Sequence, residues 1–590
     1  MIAGQVGGGW GVRRPALLRA AGFPVNGDHG GLGAFSSPDC AEVVDGHLAG
    51  RVSEELAVKA FEEAAANCAR AAYGVATDPR FREALMWQNP LVRRALDNVV
   101  ESGVDGVRNR AYRRDAELLT RYWQRYCAKT ELIGLAGPVC WTEFRDMPER
   151  VVAQPGENLV RDRKVRFEHQ VLAAYAETLA ENAALRGKLP VDHTAESVLH
   201  TAVHALGGEA LAGWNRLDEA RKCVELAVGD ADAVSAALDE LDTVVEQVTQ
   251  QPTGGHIASY EDTVRDLDIA FGTAILDDLA TPLHVIGRIA RWLTAALAES
   301  VMARMRELYD GLAGDSPSVP LAQLWHIASD DGHPGVAEDF SSRWAELFTR
   351  PEDALSRLDE LFPADQPGWS GARLHGVGLH LCAESAERLN AGDYFAVLGE
   401  IDIACPELDK GNDCVPSPLP DGLTVGPDLV VRTPEGTVRP LLDVLSELLA
   451  QRATDLVKTA EVAPHTPRIT VERMVISRET WRTTVGDTGL ADVVGPRERY
   501  FAVRRWRAAL GLPERVFVTV AGETKPMYVD LTSPVFTSIL CTALRAAQNQ
   551  STRVTITEQL PEPGHAWVPD AQGGRYVSEL RVQLSDGDPQ

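Results

Sequence analysis

Cations are scarce in this chain relative to acids: 58 Lys and Arg stand against 85 Asp and Glu in 590 residues, a formal charge of −27. Such a surplus opposes general attraction to nucleic acid or to an anionic membrane, so a polyanion needs a local patch that works against the overall field. Cysteine is sparse too. Its nine residues form no CxxC pair, and the nearest two, Cys405 and Cys414, match no zinc spacing; free thiols in a reducing compartment are expected. No uncharged apolar run is long enough to span a bilayer, and the Gly-rich start from Met1 to Trp10 lacks the apolar core of a secretory leader. The reading is a soluble, cytoplasmic protein without membrane contact. There is no GxxxxGK[ST] phosphate loop, and His200-Thr-Ala-Val-His204 lacks the Glu of a zinc-protease helix. Its imidazoles therefore read as structural, and no metal is expected. At 45% hydrophobic and 24% charged, the chain is an ordinary globular one with room for roughly two to four domains.

Against this acidic background, Arg121-Tyr-Trp-Gln-Arg-Tyr-Cys-Ala-Lys129, closed by Gly134-Leu-Ala-Gly137, concentrates cations and aromatics. Arg108, Arg110, Arg113 and Arg114 precede it. Leu118, Leu119, Tyr122 and Tyr126 are spaced as the buried face of a helix, which leaves Arg121, Arg125 and Lys129 on one stripe at four-residue intervals. This stripe is either an anion-binding site or a solvated basic face.

The chain reads as α+β, helix-rich in its first two thirds and strand-rich in its last third. Within 1–156, helical patterns include two short helices separated at Pro90; Val139 to Phe144 alternates like a strand, and Pro148 to Gly156 looks like a loop. Residues 157–250 form an insert, with helical periodicity over Val165 to Leu179 and Glu196 to Leu206. A helix pair, Asn215 to Val228 and Ala231 to Val244, turns at Gly229-Asp230. The second helix of the pair holds Asp232, Asp239, Glu240 and Asp242, which repel phosphate. A winged-helix-like module that captures a peptide strand fits better than a DNA reader. Residues 251–394 carry long helical patterns from Val264 to about Leu312. In 395–590 the strand candidates are Tyr394 to Ile403, Leu429 to Arg432, Arg468 to Val471, Val516 to Val520, Val554 to Thr557 and Tyr576 to Leu584.

The ordered landmarks resemble the aminoacyl-transfer (glutamylation) part of the lantibiotic dehydratase family over roughly residues 10 to 585. Arg13-Arg14-Pro15 matches its Arg-x-Pro opening, and Phe81-Arg-Glu-Ala-Leu its early helix. Tyr122, Arg125 and Gly134 match a signature of the form Tyr-x-x-Arg-x-x-x-Arg-x-Thr-Pro-x-Gly, in which Lys129 replaces the second Arg and Glu131-Leu132 replace Thr-Pro. Tyr260-Glu-Asp-Thr-Val-Arg-Asp266, Val397-Leu-Gly-Glu400, Arg478-Glu-Thr-Trp481 and Arg505-Trp506 through Pro513 follow in order. The family's leader-binding module falls on the 157–250 insert. Its elimination domain would begin where this chain stops, so a stand-alone transferase half is expected.

The resemblance implies transfer from an aminoacyl-tRNA to Ser or Thr of a ribosomally made precursor peptide, a reaction that needs positioning, removal of a hydroxyl proton and oxyanion stabilisation. Arg125 and Lys129, with Arg13 nearby, would grip the aminoacyl end or its phosphates. Lys129 offers a point charge in place of a planar fork, which weakens bidentate recognition of a glutamate carboxylate. Asp262 would orient or deprotonate the acceptor, or else be a helix N-terminal acid ahead of Val264. Glu400 would be a second acid. The family often has an Arg near the glycines where this chain offers Gly255-His256. Contact with tRNA would fall to Arg108, Arg110, Arg113, Arg114 and Arg121 and to a second cluster, Arg504, Arg505 and Arg507 with Arg497 and Arg499. The alternative for that cluster is pairing with Glu498 and Glu514. No cofactor is implied beyond aminoacyl-tRNA as co-substrate. The partners are tRNA, a precursor peptide leader and a separate elimination protein, with the oligomeric state open and a homodimer among the options. Two other functions remain: an ATP-using peptide aminoacyl-tRNA ligase that extends a peptide C-terminus, and a non-catalytic partner that presents peptide to an active homologue.

Overall fold

Trp10, Val12, Ala16, Leu18 and Ala20 fall at every second position, as do Leu580, Val582 and Leu584, and this period of two puts them on one face of a β-sheet. The computed structural model of the chain describes residues 1–27, 31–104, 108–130, 134–181, 196–252, 258–314, 316–329, 333–406, 408, 422–459, 463–523, 525–547 and 549–587. Eleven of the strands form the main sheet. Its path runs Ile469–Val471, Met474–Ser477, Phe395–Asp402, Leu374–Cys382, Ser578–Asp586, Pro15–Ala20, Val139–Arg145, Ser259–Gly272 and Val151–Phe167. The hairpin Ile2–Gly7 and Trp10–Arg13 joins it alongside Ser578–Asp586. Strand Ser578–Asp586 is central and antiparallel to all three strands it pairs with.

The apolar face of the sheet is backed by the 34-residue helix Ala280–Ala313. Its Ile286, Ile289, Ala290, Leu293, Leu297, Val301 and Met305 recur at three- and four-residue intervals and are buried, each large side chain contributing about 1.5–3 kcal/mol. The backbone approaches closely at Gly287, where a Cβ would stand 2.6 Å from Trp10. A second core joins a five-stranded sheet (His465–Thr466, Thr480–Thr484, Arg553–Glu558, Arg515–Val520, Met527–Asp530) to several helices. These include Pro534–Ala546 and Pro496–Leu510, with Glu54–Thr77, Pro79–Gln88 and Arg110–Ala128 from the first part of the chain.

The α+β class and the strands of the last third are as read from the sequence, whereas several local assignments are corrected. Ile2–Gly7, Trp10–Arg13 and Pro15–Ala20 are strands, which the helical reading of 1–156 did not include. Pro148 to Gly156 is not all loop: Val151–Phe167 is one long strand that crosses the 156/157 boundary, and its register shift between Pro155 and Val160 accommodates the turn-like Pro155-Gly156. The helix expected from Val165 is His169–Glu181. The helix expected from Val264 is strand Ser259–Gly272, where Leu267, Ile269 and Phe271 alternate with Asp266 and Asp268; helices begin only at Ala274. The insert's remaining helices, Glu196–Leu206, Gly208–Ala227 and Ala231–Thr249, lie where they were expected, and Gly229 turns with φ +102°. Leu217, Ala220 and Val224 are buried with Val234, Leu238 and Leu241. His200 and His204 lie with ring centroids 4.3 Å apart, beside Trp214.

Arg504 overturns its assignment to a tRNA surface. It is 1% exposed, donates to both carboxylate oxygens of Asp45 and of Glu514, and reaches the carbonyl of Leu531 at 3.2 Å. Burial works against its charge, but Glu514 and Asp45 outweigh burial and raise its pKa. Arg507 shares both partners, and Arg497 pairs with Glu498, so among the described residues only Arg505 of the expected trio stays exposed without such a pair. Arg504→Met should lower unfolding free energy by about 1–3 kcal/mol, since it strands two carboxylates that are a third exposed and so recover part of their hydration. Urea denaturation measures it; a loss below about 1 kcal/mol refutes the anchoring role.

Candidate functional site

The face of the main sheet away from helix Ala280–Ala313 is polar at its centre. On strand Ser578–Asp586, Glu579, Arg581 and Gln583 alternate with the apolar Leu580, Val582 and Leu584, and Arg19 stands directly opposite Glu579 on the neighbouring strand. Arg581, 2% exposed, donates to Glu400 at 2.6 Å and to Asp402, and its Nε lies 3.5 Å from Glu579. Room for these side chains comes from the strand alongside: a Cβ on Gly378 would stand 1.9 Å from the Glu579 carboxylate. Burial pushes the Glu579 carboxyl up, yet Arg581, His380 and Arg19 outweigh it and hold the group below its usual range. Arg581 is raised, since Glu579, Asp402 and Glu400 overcome its burial, whereas burial and the neighbouring Arg581 lower Arg19.

Three of the residues expected from sequence converge here. Glu400 is an Arg581 partner. Arg13 donates to Gln583 at 3.4 Å. Helix Arg110–Ala128 ends against the cluster: Lys129 is its C-cap, and the Thr130 hydroxyl donates to Glu579 at 3.3 Å. Arg125, one turn earlier, and Lys129 are both half-buried. The segment that follows is tied down by Arg265, which donates to the carbonyls of Gly137, Ala136 and Ala21 and stacks on Tyr576 at 4.2 Å.

The basic helix divides its labour. Trp123 and Tyr126 are core residues, the first donating to the Gly31 carbonyl and the second to Gln88, with Phe23 stacked on Tyr126. Arg110, Arg113, Arg114 and Arg121 are exposed and Arg108 is half-buried; Arg114 pairs with Asp115 at 2.9 Å. Asp262 does not join the cluster. It lies on a strand, not at a helix start, and its carboxylate binds Arg166 at 2.7 Å. Its strand is five positions along the sheet from that of Glu400, roughly 24 Å away, so one reaction centre does not contain both. Glu131-Leu132 and Gly255-His256 lie outside the described residues. Among the described residues no group of three His, Cys, Asp or Glu is arranged to hold a metal.

Arg19, Asp402, Glu579 and Arg581 were not singled out from sequence. Their signal was available: a strand whose polar alternate positions carry Glu, Arg and Gln, beside glycines at 376 and 378, is a central strand with a charged face. Glu261 is a further omission. Its side chain is 1% exposed, 3.0 Å from Arg163, and lies under Gly134; burial raises its pKa to about 7.

A sequence profile described as "Lantibiotic dehydratase, N terminus" matches residues 77–247 and 437–540. The chain is similar in structure to the glutamylation domain of TbtB from thiomuracin biosynthesis bound to 5'-phosphodesmethylglutamycin: 15% identical, covering 96% of this chain and 100% of that one, with a TM-score of 0.58. A second structure of that domain is 16% identical at the same coverage, with a TM-score of 0.55. The tRNA-dependent lantibiotic dehydratase MibB from Microbispora sp. 107891 is 15% identical, with 98% of this chain and 69% of that one covered and a TM-score of 0.56. These likenesses are of fold. No curated protein matches the chain.

Glu261 generates a pH prediction. Because its folded pKa of about 7 lies above the ordinary 4.5, the folded chain keeps a proton that the unfolded chain releases. Its contribution is full below about pH 4.5 and is lost as pH rises through 7. Glu261→Gln should remove about 1–3 kcal/mol of the stability difference between pH 5 and pH 8, measured by urea denaturation at both values. An unchanged difference in the variant counts against this account.

Proposed function

We propose that the chain, two stretches of which match the profile of the lantibiotic dehydratase N terminus, transfers an aminoacyl group, glutamyl in the first instance, from tRNA to Ser or Thr hydroxyls of a ribosomally made precursor peptide. The observation that carries this reading is the convergence of Arg13, Glu400 and the Lys129–Thr130 end of the basic helix on the Arg581–Glu579 cluster. The fold around them is shared with glutamylation domains.

The chemistry asks for little beyond positioning, because the acyl group arrives as an activated ester. Arg13 and Lys129 supply positive charge for the carboxylate or terminal phosphate of the donor. Glu400, its side chain 42% exposed, presents a carboxylate edge to the α-ammonium group. The exposed Arg110, Arg113 and Arg121 form the surface for the tRNA backbone, working locally against the net charge of −27. The edge strand Val151–Phe167 and the helices that follow it are the surface for leader capture by strand addition.

Incubating a candidate precursor peptide with defined charged tRNAs, with and without ATP, and weighing the products tests the transfer. Mass gain of one aminoacyl group per hydroxyl without ATP is expected; gain only with ATP indicates the ligase, and no gain with any tRNA indicates a non-catalytic partner. Lys129→Arg should shift preference further toward glutamyl-tRNA, since a planar fork grips a carboxylate bidentately, and an unchanged preference overturns that role. Replacing Arg110 and Arg113 by Ala should reduce the slope of log affinity against log salt by about 0.7–0.9 per lost contact, whereas a slope equal to wild type removes them from the tRNA surface.

A further inference from the structure

Strands Val139–Arg145 and Ser259–Gly272 are parallel neighbours that are paired only at their ends, at Val139–Val264 and at Phe144–Phe271 with Arg145–Gly272. Between these points four residues of one strand face six of the other. Backbone pairing is replaced by side chains: the Thr142 hydroxyl donates to the Ile269 carbonyl at 2.8 Å and the Cys140 thiol to the Leu267 carbonyl at 3.2 Å. Over this break lies a groove of about 820 Å³. Trp141, 54% exposed, is on its floor.

The groove adjoins the charged cluster. Arg581 is in register with Leu17, and Leu17 with Trp141, so Trp141 stands on the same sheet face two strands away, about 10 Å. We propose that this groove holds an extended stretch of the acceptor polypeptide on one side of the hydroxyl being modified, with Trp141 as its platform; this rests on the transfer function proposed above. Charge favours polypeptide over nucleic acid. Arg145 is paired with Glu143 at 2.9 Å, and Arg161 with Asp266 at 3.0 Å and Asp268 at 2.7 Å, so these groove arginines are already engaged by carboxylates and form no open cationic track for a phosphate backbone. Arg14 also lines the groove. Trp141 and Val264 give an apolar floor for small side chains at alternate positions of a strand.

Two variants test the groove: Trp141→Ala, which removes an exposed ring, and Val264→Arg, which fills the groove. The first readout is fluorescence anisotropy with a labelled synthetic decapeptide of alternating serine and alanine. The second is the KM of precursor peptide and of charged tRNA taken separately. Expected are a loss of decapeptide affinity of at least 5-fold in both variants and a rise in peptide KM of at least 5-fold with tRNA KM unchanged. Unchanged peptide affinity in both variants, or weakened tRNA with peptide unaffected, overturns the proposal. If the wild-type chain transfers nothing, the anisotropy decides alone: binding by wild type that both variants lose keeps the groove as a polypeptide site, and absence of wild-type binding removes it.

Discussion

Arg581 sits between Glu400, Asp402 and Glu579 at the centre of the main sheet, and the surrounding architecture follows from keeping that guanidinium dry. A buried ion pair of this kind seldom adds stability over apolar packing, because two charges must first leave water. What it does here is fix geometry. Three carboxylates on three side chains converge on one planar fork, which aligns strands Phe395–Asp402 and Ser578–Asp586 and denies the intervening strand a side chain at Gly378. The apolar face, packed on a 34-residue helix, supplies the stability that lets the opposite face be polar.

The same division recurs on helix Arg110–Ala128. One side, with Trp123 and Tyr126, is locked into the core by rings and carbonyl bonds, while arginines on the other side meet solvent. The end of the helix touches Glu579 through Thr130. A basic surface and a charged sheet face are thus joined by a rigid element, and a ligand spanning both would be held in one register.

Legibility in the sequence tracked the range of the interaction. Helix Arg110–Ala128, the Gly229 helix pair and strands such as Arg515–Val520 and Arg553–Glu558 were readable because their periodicity is local. Strand Ser259–Gly272 was misread since its acids at 262, 266 and 268 alternate with apolar residues in a stretch that also permits a helical count. Strand Val151–Phe167 hid behind Pro155-Gly156. Arg504 reads as one more surface cation until Asp45, 459 positions away, is seen to hold it. The charged cluster is harder still: Arg19, Glu400 and Arg581 are unremarkable one at a time, and only the order of strands brings them together. The Arg13 and Glu400 assignments came from family resemblance, not from any spacing between them.

The strand order also fixes when this charged face can exist. Ser578–Asp586 fills the gap between Pro15–Ala20 and Leu374–Cys382, so the Arg13–Gln583 bond joins residues 570 positions apart. On the ribosome strand Pro15–Ala20 must wait for more than 550 further residues before its neighbour Ser578–Asp586 emerges, and such long-range closure is slow. Until then the polar edge of Pro15–Ala20 has no partner on that side. A nascent chain interrupted before residue 578 therefore has neither the central strand nor the fork that gathers the three carboxylates, and the face is not assembled.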